Sequence, residues 1–273
     1  MKLLIATATY NEVENVTPLC DQIHEQLPDA TILIIDDHSP DGTGELLTEM
    51  QKSHSYLQVV HRTRKLGLGT AHKLAMLYCL KNGFDALITL DADFSHHPKY
   101  LPEMVRLLSS HDFVIGSRYT KGGKLDYPLS RKILSRGANT LARYLLSIPL
   151  AETTTSYRGF RRELLAAMPI LSIQSEGYSF FVECIFRVSQ TTKNVTEFPI
   201  HFEDRIAGIS KISKKEIYRG MTTLLRLAVS NIARQKQLPV LPIPGALKCD
   251  QCQSEFLVPS ATQKLCLVCG LRT

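Results

Sequence analysis

A short buried strand that ends in two aspartates constrains this chain more than any other feature. A strand is predicted at residues 85–90, because the residues after Asp85 form an apolar run broken only by Thr89. Asp91 and Asp93 follow it directly, and Pro98 suits the first turn of a helix. Two carboxylates spaced i, i+2 at a strand tip can approach one hard divalent cation. An isolated pair of this kind is often only a turn or a helix cap, so its surroundings decide its meaning.

The neighbouring segments alternate between strands and helices. Strands are predicted at 2–9, 31–35, 57–60 and 85–90, and helices at 13–27, 43–53 and 70–81. This alternation predicts an α/β fold in which helices cover both faces of a parallel sheet. Right-handed connections bring the strand ends to one edge, and open α/β sheets bind their ligands at that edge.

The loops expected at this edge are acidic rather than glycine-rich. The segment 67–69 is only a fragment of the dinucleotide-binding glycine motif and does not lie in the first strand–helix turn. A GxxxxGK[ST] phosphate loop does not occur in the sequence. Carboxylates repel phosphate unless a metal bridges them, so a diphosphate ligand here requires Mg²⁺ or Mn²⁺.

Charge, apolar runs and cysteine content indicate the kinds of partner and the cellular compartment to expect. The formal charge of +6 suits an anionic substrate, a membrane surface or nucleic acid. No apolar run approaches the ~18–20 residues of a membrane span and no signal peptide is evident, so any membrane contact is expected to be peripheral. The scattered Cys20, Cys79 and Cys184 do not resemble a disulfide framework, which predicts a reducing cytoplasm.

Several motifs resemble, in order, those of the dolichol-phosphate mannosyltransferase group of family 2 inverting glycosyltransferases. They are ATYNE (8–12), DDHSPDGT (36–43), KLGLGTA (65–71), DADFSHHP (91–98) and GSRY (116–119). A later stretch, 204–211, resembles that group's late motif, and the likeness spans roughly residues 1–225. The resemblance implies a GT-A fold, which is Rossmann-like with a mostly parallel sheet and helices on both faces. It also implies transfer of a hexose from a nucleoside-diphosphate sugar to polyprenyl or dolichyl phosphate.

The resemblance assigns roles position by position. The residues implied for the base and ribose of the donor are Tyr10, Glu12, Ile35 and Asp37. Those implied near the diphosphate are Asp91, Ala92 and Asp93, with Asp93, Ser95 and Asp91 as the Mg²⁺ or Mn²⁺ ligands. Those implied as phosphate contacts are Arg118, Arg205 and Lys211. Guanidinium groups match phosphate oxygens in pairs, and cations stabilise a leaving nucleoside diphosphate.

The chain departs from the family's pattern at an element of the form Asp-x-Thr-Ser-Gly-Phe-Arg. Matching its end to residues 159–161 puts Thr155 at the acidic position and leaves Glu152 three residues too early. The sugar is therefore not fixed by the resemblance. Mannose, carried by GDP, is favoured over glucose.

The segment 118–143 is basic. It contains one acid, Asp126, and seven basic residues, Arg118, Lys121, Lys124, Arg131, Lys132, Arg136 and Arg143. Arg131, Ser135 and Asn139 fall on one helical stripe, which would suit either a phosphate head group or a solvated face. The resemblance favours an acceptor-phosphate site at Arg131 and Ser135.

The acceptor decides whether a general base is needed. A lipid phosphate is already anionic and can attack the anomeric carbon directly, whereas a saccharide or protein hydroxyl must lose a proton. The hydroxyl alternative predicts a base such as Glu176 or Glu183. A third reading is a non-catalytic, regulatory protein that binds nucleotide sugars.

The helix predicted at 213–237 is basic and amphipathic. Such a helix can lie on an anionic membrane, although its apolar stripe more commonly packs on its own domain. The expected location is peripheral, on the cytoplasmic face of the membrane.

The C-terminal segment contains paired cysteines after a proline-rich linker at 238–246. Cys249, Cys252, Cys266 and Cys269 form a CxxC-x13-CxxC pattern, which predicts a structural zinc ribbon at 247–273. The predicted catalytic domain is then 1–237. A protein partner is the expected use of the ribbon, and nucleic acid is not expected because basic and aromatic residues are few there.

Overall fold

The computed structural model describes residues 1–126, 129–202, 214–232, 249, 251–259 and 264–270. Within them it describes every side chain except those of 129–131, 134, 214–217, 232, 257–259 and 264–265. The strands are β1 (Leu3–Thr9), β2 (Thr31–Asp36), β3 (Leu57–His61), β4 (Ala86–Thr89), β5 (Phe113–Ser117), β6 (Lys124–Leu125), β7 (Arg158–Arg161), β8 (Val195–Pro199), β9 (His201–Phe202), β10 (Leu257–Pro259) and β11 (Lys264–Cys266). The α-helices are α1 (Val16–Gln26), α2 (Thr43–Ser53), α3 (Leu68–Lys81), α4 (Leu101–Leu108), α5 (Leu129–Leu146), α6 (Arg162–Ala167), α7 (Ser179–Thr191) and α8 (Lys214–Ile232).

A seven-stranded sheet in the order β3-β2-β1-β4-β7-β5-β8 forms the centre of the molecule. All neighbouring pairs are parallel except those of β7, which runs antiparallel to both β4 and β5. The predicted α/β class with a mostly parallel sheet is confirmed. The inserted β7 was not predicted. Its direction brings the residues that precede it to the edge where β4 and β5 end.

Buried side chains alternate between two cores on opposite faces of the sheet, as the two-residue period of a strand requires. In β1, Leu4 and Ala6 join the core that includes α3 and α7, whereas Ile5 joins the core that includes α1 and α4. Thr89, the one polar residue of β4, is buried, and its hydroxyl donates to the Ser156 carbonyl at 2.6 Å. A polar side chain is therefore tolerated inside the predicted apolar strand.

Helix α8 has two apolar faces. Leu224 and Ala228, two members of its predicted apolar stripe, pack inward together with Leu227, as the packing interpretation of this helix predicted. Met221 and Leu225 belong to the same predicted stripe but are 59% and 63% exposed, so that interpretation was wrong for them. Of the helices in the described ranges, none is both long enough and apolar enough to cross a bilayer.

The C-terminal cysteine segment packs on α3. The rings of Phe256 and Tyr78 stack with centroids 6.1 Å apart, and Leu267 is buried in the same core as α3. Glu255 forms an ion pair with Lys81. The predicted domain boundaries and the linker at 238–246 fall outside the described residues and stay predictions.

Candidate active site

The loops that follow β1, β2 and β4 lie side by side at one edge, because these strands are neighbours in the sheet. Asn11, His38 and Phe94, one in each loop, have φ values of 62°, 64° and 60°. They are three of the five non-glycine residues with positive φ in the described part of the chain. Left-handed backbone at non-glycine residues is costly and often marks functional loops.

Asp91 is held on one side and open on the other. Ser156 Oγ donates to its Oδ1 at 2.5 Å, His96 Nδ1 lies 3.3 Å from its Oδ2, and the side chain is 30% exposed. Burial alone would raise the pKa of Asp91, but His96 and Ser156 hold it below its ordinary value. Thr155 bonds the far nitrogen of His96 at 2.7 Å. The carboxylate is therefore ionised at neutral pH and fixed in orientation.

Asp93 closes the turn after Asp91. Its Oδ1 accepts bonds from the backbone N–H of Ser95 at 3.1 Å and from Ser95 Oγ at 2.6 Å. Ser95 is buried, and Ala92 packs in the core beneath. The structure thus brings Asp93 and Ser95 into contact two residues after Asp91, and their role as metal ligands stays a prediction.

The oxygen ligands offered here fit Mg²⁺ or Mn²⁺. Hard cations bind carboxylate oxygens, and Mg²⁺ commonly takes one or two carboxylates from the protein and the remainder from substrate phosphates and water. Within the described residues, three or more His, Cys, Asp or Glu ligands converge only at the four cysteines. A cation on Asp91 and Asp93 would therefore complete its shell from a bound diphosphate.

Asp37 organises a loop between β3 and α3. Its carboxylate accepts the backbone N–H groups of Leu66 and Gly67, each at 2.7 Å, and Arg62 Nη1 at 3.1 Å. Arg62 and Asp37 are both buried. Residues 62–67, which we call the donor loop, are thus tied to the tip of β2. Sequence reasoning missed Arg62, whose signal was a basic residue directly after the third strand, followed by Arg64 and Lys65.

The other predicted donor residues occupy different environments. Tyr10 is 36% exposed, and the ammonium group of Lys65 lies 3.2 Å from the centroid of its ring. Glu12 accepts a bond from Asn15 Nδ2 at 2.6 Å. The Ile35 side chain is in the core, so a donor contact at this position would come from its main chain.

Arg118 forms a buried ion pair that the sequence did not predict. Its Nε and Nη2 each lie 2.8 Å from a Glu152 oxygen, and its Nη2 also donates to Thr154 Oγ1 at 2.7 Å. Burial would raise the pKa of Glu152, but Arg118 lowers it. Matching the family's element to Arg158 instead of Arg161 would bring Glu152 to the acidic position, as an alternative to the predicted alignment that places Thr155 there.

Helix α5 contacts both the segment after β5 and the loop before β7. Ser135 Oγ lies 2.5 Å from the Tyr119 hydroxyl, and Asn139 Oδ1 accepts the Thr153 N–H at 2.8 Å. Asn139, the last residue of the predicted helical stripe, is buried, so it supports the loop before β7 instead of facing solvent. The Arg131 side chain, and all of Arg205 and Lys211, fall outside the described part of the chain and stay predictions.

Neither carboxylate suggested as a general base is well suited to that role. Glu183 is fully buried and ion-paired with Arg226 at 2.6 Å and Arg187 at 3.2 Å. Burial would raise the pKa of Glu183, but Ser175 and Arg226 lower it, which makes it a weaker base. Glu176 is 72% exposed and lies opposite Arg219.

The four C-terminal cysteines converge. Their sulfur atoms all lie within 4.8 Å of one another, with Cys249–Cys269 and Cys252–Cys266 separations of 3.5 and 3.6 Å. A tetrahedral zinc site with Zn–S bonds of about 2.3 Å has S···S edges of about 3.8 Å, so the cluster fits zinc. Burial would raise the pKa of Cys266, but hydrogen bonds from Cys269 N–H and Ser254 Oγ lower it to about 7.

The sheet, its acidic strand tips and the loop before β7 define a glycosyltransferase of the GT-A fold. Two solved structures share this fold. Glucosyl-3-phosphoglycerate synthase from Mycobacterium tuberculosis, solved with Mn²⁺, UDP and glucosyl-3-phosphoglycerate, has a TM-score of 0.58 at 18% identity over 84% of this chain and 80% of that chain. TarS from S. aureus has a TM-score of 0.55 at 15% identity over 88% of this chain and 67% of that chain.

The model of glycosyl transferase family 2 matches residues 4–168, and the chain belongs to that family. Two curated relatives are each 37% identical to it. Undecaprenyl-phosphate mannosyltransferase of Micrococcus luteus aligns over 78% of this chain and 88% of its own length. Polyprenol monophosphomannose synthase of Mycolicibacterium smegmatis aligns over 81% of this chain and 84% of its own length.

Proposed function

We propose that the protein transfers mannose from GDP-mannose to a polyprenyl phosphate, with inversion at the anomeric carbon. The observation that carries the proposal is the sheet edge that unites Asp91 and Asp93, after β4, with Glu152 in the loop before β7 and with Arg118 after β5. The names of the two relatives, both polyprenyl-phosphate mannosyl enzymes, support the choice of sugar and acceptor.

A divalent cation, Mg²⁺ or Mn²⁺, would be held by Asp93 together with Asp91 and Ser95. When bound, it neutralises charge on the diphosphate of the donor. The Mn²⁺ in the M. tuberculosis relative of the same fold supports this assignment.

The negative charge of the acceptor phosphate determines how it would react. An oxygen of the lipid phosphate forms a bond to the anomeric carbon while the bond from that carbon to the donor diphosphate breaks, and GDP leaves with the electron pair. The attacking oxygen is already anionic, so no side chain needs to remove a proton. Arg118, Arg131 and Ser135 would place this second anion in line with the first.

Exposed apolar residues on α5 and α8 support contact with the membrane that carries the lipid. They are Ile133, Leu141, Tyr144 and Leu145 on α5, and Tyr218, Met221, Leu225 and Val229 on α8. The two helices are in contact, and Lys132 and Arg136 on α5 are also exposed. An apolar surface beside basic side chains suits an anionic bilayer, here its cytoplasmic face.

The C-terminal cysteines would hold a structural Zn²⁺. All four ligands come from the protein, so the site is closed and contributes folding energy rather than chemistry.

The test is transfer of radiolabelled mannose from GDP-mannose into an organic extract that contains polyprenyl phosphate, with Mn²⁺ or Mg²⁺ added. Wild-type protein is expected to label the lipid, and Asp93→Asn to reduce kcat by at least about 100-fold, since charge stabilisation of the leaving group is lost. Asp29→Asn, at an exposed loop before β2, is the matched control and should retain full activity. Labelling of a saccharide or protein instead of the lipid, or undiminished transfer by Asp93→Asn, would overturn the proposal.

A further inference from the structure

We propose that the four-cysteine site positions the donor loop, so that its metal content sets the affinity for the nucleotide sugar. This coupling between the cysteine site and donor affinity does not follow from the fold itself, because the cysteines are distant in sequence from the strands of the sheet. The inference rests on the proposed function only in assuming that the donor loop contacts a nucleotide.

The donor loop is bonded on one side to the backbone of the cysteine site. Thr63 Oγ1 donates to the carbonyl of Cys269 at 3.2 Å, and Arg64 Nη2 donates to the carbonyl of Gly270 at 2.8 Å. Cys269 is a ligand of the predicted metal site and Gly270 is its neighbour. The position of both carbonyls therefore depends on how the cysteines are held.

On its other side the same loop builds the donor site. The N–H groups of Leu66 and Gly67 both bind the Asp37 carboxylate, and Lys65 lies over the ring of Tyr10. Asp37 and Tyr10 are the predicted donor contacts at the tips of β2 and β1. Thus residues 63–64, which contact the cysteine site, are followed directly by residues 65–67, which contact the predicted donor site.

Arg62 adds an electrostatic link. Its Nη1 binds Asp37, whereas its Nε and Nη2 have no hydrogen-bond partner among the described residues although the side chain is 2% exposed. Cys266 interacts electrostatically with the same guanidinium. Four thiolates around Zn²⁺ carry a net charge of about −2, which would stabilise a buried cation beside them.

Metal binding matters because the cysteine segment is too small to order itself. A unit of this size has little core of its own and usually depends on its metal to fold. We expect that, without metal, Phe256 and Leu267 keep their partners in the core. The Cys269 and Gly270 carbonyls should then no longer be held where Thr63 and Arg64 bind them.

Gly270→Ala tests the contact without removing a metal ligand. A Cβ at Gly270 would lie 2.6 Å from Leu66 Cδ2 and 2.7 Å from Arg64 Nη2, so these side chains must move. Gly83→Ala is the matched control. The φ values are similar, +74° at Gly270 and +69° at Gly83, whereas the nearest atom to a Cβ at Gly83 is 3.8 Å away. Both variants therefore place alanine at a similar positive φ, and only Gly270→Ala forces side chains of the donor loop to move.

We expect Gly270→Ala to raise the Kd for GDP-mannose, measured by calorimetry, about tenfold, a change within the usual range of coupling between sites. The variant should still bind one zinc per chain. Gly83→Ala should change this Kd by less than about twofold. Arg64→Ala should weaken donor binding similarly, and Arg64→Lys should restore part of it. Donor affinity unchanged in both Gly270→Ala and Arg64→Ala would overturn the inference. Failure of the wild type to bind any nucleotide sugar would instead overturn the proposed function.

Hydrogen exchange of the nucleotide-free protein provides a readout independent of activity. Removal of zinc by a chelator should accelerate exchange of the Leu66 and Gly67 amides, which bind Asp37, at least about fivefold. The Ser95 amide, which binds Asp93 in a loop without contact to the cysteine site among the described residues, should not change. Equal protection of 66–67 with and without zinc would contradict the proposal.

Discussion

Asp91 and Glu152 are charged although largely enclosed, and in both cases a specific partner offsets burial. Ser156 and His96 stabilise the first carboxylate, and Arg118 stabilises the second. Breaking a buried pair by removing one charge is far more costly than breaking a surface pair, because the remaining charge stays desolvated. The charged residues of this candidate site therefore also stabilise the structure around it.

Glu152→Gln should lower the free energy of unfolding by about 3 kcal/mol, because it leaves Arg118 enclosed without a countercharge. The measurement is urea denaturation at pH 7. Glu163→Gln makes the same chemical change in the Arg161–Glu163 pair, where the glutamate is 71% exposed, and should cost less than about 1 kcal/mol. Equal effects of the two substitutions would contradict the buried pairing.

His72 should make stability depend on pH. It is buried against Phe180 and Phe181, and burial lowers its pKa to about 4. The unfolded chain takes up a proton near pH 6.5 and the folded chain does not, so stability is lost as pH falls from about 6.5 towards 4. Between pH 7 and pH 5 this loss amounts to about 2 kcal/mol.

The check on His72 is urea denaturation at both pH values, with His72→Gln for comparison. The variant should show a pH-dependent loss about 2 kcal/mol smaller than the wild type. The same pH dependence in both proteins would show that His72 is not the group responsible.

At the scale of elements, local patterns predicted much of the architecture but not all of it. Apolar runs and breakers located β1 to β4 because burial on both faces of a sheet leaves a clear trace in sequence. The position of β7 could not be predicted from a local pattern, because β7 pairs with β4, and Arg158 and Thr89, which lie opposite each other in this pair, are distant in sequence. The ion pair of Glu152 with Arg118 was not predicted for the same reason, because Arg118 follows a different strand.

The exposed faces of α5 and α8 lead to a prediction at this scale. The double substitution Leu225→Glu and Val229→Glu should abolish flotation with anionic liposomes, because two charges replace apolar contacts with the bilayer. Donor binding should persist. Ser110→Glu and Asn194→Asp add comparable charge outside these helices and should leave flotation intact. Flotation of the doubly substituted protein would show that this surface does not meet the membrane.

At the scale of the whole molecule, the described part of the cysteine segment packs against α3 and the donor loop. The CxxC spacing predicted its metal site, because ligand geometry is local. Its docking was not predictable, since Phe256 meets Tyr78 and Arg64 meets Gly270 only after the sheet has formed. The surface expected to receive a protein partner is in part occupied by α3 of the same chain.

The central claim is that Asp91 and Asp93 hold a cation and, through it, the donor's diphosphate. Anomalous diffraction from a crystal soaked with Mn²⁺ and GDP tests this most directly. We expect one manganese peak bonded to an Asp93 carboxylate oxygen, with the two phosphates of GDP on the same ion. A manganese–diphosphate pair located away from residues 91–95 would contradict the account.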